Sequence, residues 1–165
     1  MEVAGSFQGG ATDTEIDALK SLVTTEIPAD FISLYAINNG QKPESGWVNF
    51  NRILSVAEIV AGQKMLNEVL SDFGEIEWLE PDKIRNVVWS PNWIKFTEFE
   101  GDGFVLDLDP GPNGTYGQIF YRDHADNSIR VCATSLDEFM RIIAESLESG
   151  DYEIDQQCVI ITRLF

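Results

Sequence analysis

The run WSPNWIKFTEFEGDGFVLDLDPGPNGTYGQIFY, Trp89 to Tyr121, decides the fold, because it reads as strand, acidic glycine turn, strand, proline-glycine loop, strand. Phe104 to Asp109 alternates Phe104, Leu106 and Leu108 with Val105, Asp107 and Asp109. Strand side chains have period two, so Asp107 and Asp109 share the face opposite the apolar one. The run holds five acids, Glu98, Glu100, Asp102, Asp107 and Asp109, and no base after Lys95. Those carboxylates could do chemistry, meet a partner, or bond within the fold.

Working outward, helix signals precede and follow this strand-rich centre. Thr12 with Glu15, or Thr14 with Asp17, can cap a helix over about Asp13 to Thr25, with Ile16, Leu19, Leu22 and Val23 at helical spacing. Pro28 at a first helical position permits a second helix through Phe31, Leu34, Tyr35 and Ile37, and Asn38-Asn39-Gly40 supplies its stop. Trp47 to Phe50 and Ile53-Leu54 read as extended. Ser55 with Glu58 opens a third helix that runs to Gly74, with Gly62 inside it as a point of bending or division. After an acidic turn from Glu75 to Lys83, Val87 to Trp89 and Trp93 to Phe99 are extended, and Gln118 to Arg122 and Ile129 to Ala133 return as further strands. The Ser135 to Glu138 box opens a last amphipathic helix ending at Gly150, and Val159 to Leu164 reads as a closing strand.

This order predicts an α+β fold. A largely antiparallel or mixed sheet of about five to six strands carries helices on one face. The 165 residues make one domain, with residues 1–11 as a flexible lead and 154–165 as an extra C-terminal strand. A hydrophobic content of 44%, with four Trp and ten Phe, supports a real core and excludes a disordered acidic chain.

Charge excludes more. Twenty-eight acids against eleven bases give a net charge of −17, a field that repels phosphate backbones and argues against nucleic-acid binding. The same field speeds encounter with a basic partner. Bases are missing from Met65 to Asp82, Phe96 to Tyr121 and Ile142 to Thr162, which gives that field a direction if two of these stretches meet. Met1 to Gly10 lacks a basic and an apolar signal region, and no apolar run approaches the ~20 residues of a membrane span, so a cytoplasmic protein is expected. Cys132 and Cys158 lie in apolar strands and read as two reduced thiols.

Catalytic patterns are weak. His124, the sole histidine, sits in the turn DHADN with no GxSxG nucleophile to serve, and reads as a solvated turn residue. Asp107-Leu108-Asp109 has a DxD form that could share a hard cation, but no phosphate loop accompanies it, and the spacing of an EF-hand is absent. Asp102 between two glycines is most simply a turn residue. Trp93 is expected inside, whereas Trp78, amid Glu75, Glu77 and Glu80, is expected to anchor a partner. No catalytic residue, metal or cofactor is assigned. The candidate partner-binding set is Glu75, Glu77, Trp78, Glu80, Glu98, Glu100, Asp102, Asp107 and Asp109.

The order of signals resembles the SUKH superfamily, shared by fungal cell-wall-assembly regulators and bacterial immunity proteins. Ile27-Pro28-Ala29-Asp30-Phe31 through Asn39-Gly40, and Ile53-Leu54-Ser55 with Glu58-Ile59, are similar to its early elements. Trp93 onward, with Gly101-Asp102, Leu106 to Pro110 and Gly117-Gln118-Ile119, is similar to its central signature, and Val131 to Met140 to its closing strand and helix. The resemblance runs from about residue 27 to 148 and departs at Phe99-Glu100, where the family has a glycine-rich turn. It implies a sandwich without an active site, acting as an immunity protein that neutralises a cognate basic, nuclease-like toxin domain. The alternatives are a regulatory scaffold, as in the fungal members, or a carboxylate or metal-dependent hydrolase using Asp107 and Asp109. A monomer or homodimer fits either binding role.

Overall fold

Three helices begin where a side chain can satisfy the free N–H groups of the first turn. Thr12 and Glu15 form a reciprocal box at α1 (Asp13–Lys20). At α3 (Val56–Leu70), the Ser55 hydroxyl and backbone N–H both donate to Glu58 Oε2. Ser135 accepts from the Glu138 N–H to cap α4 (Leu136–Ser149), while Glu138 itself turns back to Thr134. The fourth, α2 (Ala29–Ile37), enters from Pro28, whose fixed φ suits a helix start.

The computed structural model describes residues 6–43, 46, 48–70, 73–75, 80, 82–124, 129–155 and 158–164. Among the expected features, Trp47, Glu77 and Trp78 lie outside the described residues.

The central sheet has four antiparallel strands in the order β2 (Trp93–Lys95), β4 (Gly103–Asp107), β5 (Gln118–Arg122) and β6 (Ile129–Ala133). Register pairs Trp93 with Asp107, Lys95 with Val105 and Gly103 with Arg122. Two short antiparallel pairs flank it, β1 (Arg52–Ile53) with β3 (Thr97–Glu98), and β7 (Glu153–Asp155) with β8 (Cys158–Ile160). The α+β class and antiparallel sheet are as the sequence predicts.

Coverage differs from the expectation of one covered face, because β4 is buried at all five positions. Phe104, Leu106 and Ile119 join the larger core with α1, α2 and α4. On the reverse face, Trp93, Val105, Phe120 and Ile129 form a second core with Ile84 and Trp89, against which Leu66 and Leu70 of α3 pack. The alternation in β4 is real, but it separates two apolar cores.

Other boundaries also move for physical reasons. Helix α1 stops at Lys20, and Thr24, expected inside it, instead donates its N–H to the Asn92 side chain. Gly62 does not split the helix, and α3 runs unbroken over Val56–Leu70. Asn49 and Phe50, expected in a strand, are left-handed with φ of 50° and 64°. That turn is held from outside: the Asn49 amide bonds both the N–H and the carbonyl of Ile161, and the Phe50 N–H donates to Cys158 Sγ. The closing strand ends at Ile160, after which Thr162–Leu164 is a 3-10 turn. Cys132 and Cys158 are free thiols.

Candidate functional site

Residues five apart on one strand are separated by about 17 Å at 3.4 Å per residue. Asp102 at the start of β4 and Asp107 at its end are therefore at opposite ends of the sheet, and the expected grouping of Asp102 with Asp107 and Asp109 divides in two.

At one end, Asp107 is completely buried, which corrects its place in a surface set. Its carboxylate accepts from the Asp109 N–H at 2.9 Å and from Gln118 Nε2 at 2.7 Å. The Trp93 indole, on the paired residue, favours its charge without completing a hydrogen bond. Burial outweighs these and pushes the Asp107 carboxyl up to about 6. Asp109 is half-buried, accepts from Ser90 Oγ at 2.7 Å and forms an ion pair with Arg85. Both acids are engaged in bonds within the fold.

At the other end, the turn Phe99 to Asp102 closes with two backbone bonds, and both Glu100 and Gly101 have positive φ, 49° and 101°. This is a type I′ hairpin turn, which matches the twist of its strands. Glu100 takes the left-handed conformation at a cost and is exposed to solvent. Glu98 accepts from the Gly101 N–H and pairs with Lys95. Asp102 Oδ1 accepts from the His124 N–H at 2.8 Å and lies 2.6 Å from its Nδ1, while Oδ2 accepts from the Tyr121 hydroxyl at 3.4 Å. His124 is thus exposed but anchored.

Asp102, Asp123 and His124 bring three potential ligand atoms within 4.8 Å of one another, the one such group among the described residues. An ion there would have to displace the bonds that Asp102 already makes to His124. Of the remaining expected acids, Glu75 is exposed and Glu80 pairs with Lys83 at 2.8 Å. Glu77 and Trp78 lie outside the described residues.

Arg122, absent from the expected partner-binding set, is only 8% exposed at the end of β5. It lines a cleft of about 350 Å³ between α3 (Ile59, Gly62, Met65, Leu66), the sheet (Lys95) and the turn after β5 (His124). Its Nε has no hydrogen-bond partner among the described residues, and its guanidinium lies 5.9 Å over the Trp89 ring. Burial pulls its pKa down, and the Asp102 charge opposes that. A legible signal existed: Phe120 and Arg122 alternate with Ile119 and Tyr121, so Arg122 had to follow Phe120 to its face. A larger hollow of about 600 Å³ lies at the proline corner, but its charged groups, Lys20 and Glu26, are exposed there. The smaller cleft holds the buried charge.

Comparison with known proteins adds to this geometry. Residues 10–142 match the model of the SMI1 / KNR4 family (SUKH-1). The chain is 24% identical over 165 residues to the cell wall biosynthesis/cell cycle regulator smi1 of Schizosaccharomyces pombe, covering 89% of this chain and 33% of that protein. It is 40% identical over 81 residues to KNR4/SMI1 homolog 2 of Debaryomyces hansenii, covering 47% of this chain and 13% of that one. The cell wall assembly regulator SMI1 of Saccharomyces cerevisiae is 33% identical over 75 residues, 45% of this chain and 15% of that protein. The chain therefore spans a third or less of the length of these relatives.

Proposed function

Because the chain belongs to the SMI1 / KNR4 family (SUKH-1), we propose that it is a non-catalytic regulatory module, cytoplasmic, that binds a protein partner through its acidic surface. One observation carries the reading: the acids that could have formed a catalytic set are spent on the fold. Asp107 is buried among hydrogen bonds, Asp109 holds Arg85 and Ser90, and Asp102 anchors His124. What remains for a partner is the exposed charge of a chain carrying −17, at positions such as Glu75 and Glu100. No described helix is long and apolar enough to cross a membrane.

The relatives' printed names, regulators of cell wall assembly and biosynthesis, favour a regulatory partner over a toxin. Neutralising a basic toxin domain is the second reading, favoured by the net charge, since an acidic face complements a nucleic-acid cleft. Affinity capture with the wild-type chain and with a Glu75→Lys, Glu80→Lys, Glu100→Lys variant tests the shared core of both. The wild type should retain a partner that high salt releases and that the variant does not hold. A partner held equally by both proteins, or turnover of a substrate by the chain, contradicts the proposal.

A further inference from the structure

A net charge of −17 makes a buried cation with an unsatisfied N–H conspicuous. Of the acids around the α3 cleft, Glu58 binds Arg52 at 2.8 Å and Glu98 pairs with Lys95, while Asp102 hydrogen-bonds His124 and lends its charge to Arg122. Arg122 has the Asp102 charge nearby and the Trp89 ring at 5.9 Å, but its Nε has no hydrogen-bond acceptor among the described residues. It is more than nine-tenths buried and lines the cleft. A buried charge without a hydrogen-bonding counter-group is costly, so a ligand that supplies one relieves part of that cost.

The local architecture leaves room for it. On the α3 wall, a Cβ on Gly62 would meet nothing within 4 Å. The α3 wall is apolar, with Ile59 buried, Leu66 half-buried and Met65 59% exposed. At about 350 Å³ the cleft is at the small end for ligand sites, the size of a few side chains rather than a cofactor. A guanidinium suits a planar carboxylate, which it can bind with two parallel N–H donors. A polyphosphate is disfavoured by the field of the whole chain, whereas one carboxylate can be matched by one arginine.

We propose that this cleft binds a peptide segment bearing a carboxylate side chain beside a large apolar one, with Arg122 receiving the carboxylate and α3 the apolar group. The inference goes beyond the acidic-surface reading and does not depend on it.

The test is a ¹H–¹⁵N NMR titration of the whole chain with N-acetyl-Phe-Glu-amide, its Phe-Gln counterpart, and succinate. The glutamyl peptide should shift the amides of Gly62, Lys95 and Arg122, with a Kd of order 1 mM and at least about tenfold weaker binding of the glutaminyl peptide. Arg122→Gln should lose the preference. Gly62→Phe, which fills open space without touching the sheet's core, should block both peptides while leaving the spectrum folded. Equal affinity for the two peptides, shifts outside the cleft, or no shift by about 20 mM would overturn the proposal. Succinate binding as tightly as the peptide would overturn the peptide assignment.

Discussion

Asp107 turns its burial into a pH dependence. Its carboxyl titrates at about 6 in the folded chain against an ordinary 3.8, so between those values the folded protein holds a proton that the unfolded chain has released. The stability contributed by that proton is complete below about pH 3.8 and is lost as pH rises through about 6. At 1.36 kcal/mol per unit this is at most about 3 kcal/mol. Urea unfolding at pH 4 and pH 7 should show that loss in the wild type and not in Asp107→Asn; parallel pH dependence in the two proteins contradicts it. Glu58 behaves oppositely. Burial pushes it up, but the bonds from Arg52 and Ser55 prevail and hold it at about 2, so its contribution disappears only as pH falls from about 4.5 towards 2. At this scale the sequence showed which face Asp107 occupies but not that the face is covered. The covering groups, Leu66, Leu70 and Ile84 to Trp89, come from more than fifteen residues upstream of it, and no local pattern encodes that contact.

Secondary elements were legible wherever the signal is local. The boxes at Thr12, Ser55 and Ser135 start their helices where the sequence places them, because cap and N–H are three residues apart. Replacing Ser55 with Ala should cost about 1 kcal/mol, read by thermal or urea unfolding, and no change would contradict a working cap. The left-handed turn at Asn49 and Phe50 was not legible, since its holding bonds come from Ile161 and Cys158, more than a hundred residues away. Glu100 presents the converse case, a non-glycine residue at φ 49° in a type I′ turn. Glu100→Asn should stabilise the protein by about 0.5–1 kcal/mol, since Asn tolerates the left-handed conformation better. Gly62→Ala should add a similar amount by helix propensity alone, because its new methyl meets nothing. Equal or lower midpoints in these two variants would contradict the strain assigned to Glu100 and the open space at Gly62.

At the scale of the whole molecule, two cores share one sheet, and the charge left over lies on the surface. Fold class and family were readable because their signals, four motifs in order, are distributed along the chain. The site was not, because a patch is a property of three-dimensional neighbours: Asp102 and Asp107 are close in sequence and about 17 Å apart along the strand. Arg122, far from the acids in the reading, proved to be the buried charge next to the cleft. The central claim is that surface charge, with no catalytic centre, carries the function. Its most direct measurement is isothermal titration of the captured partner at three ionic strengths, with the wild type and the Glu75→Lys, Glu80→Lys, Glu100→Lys variant. Exposed charges are screened within about 10 Å at 0.1 M salt, so affinity should fall steadily with added salt and start weaker, with a shallower slope, in the variant. An affinity that salt leaves unchanged, equal in both proteins, would contradict the account.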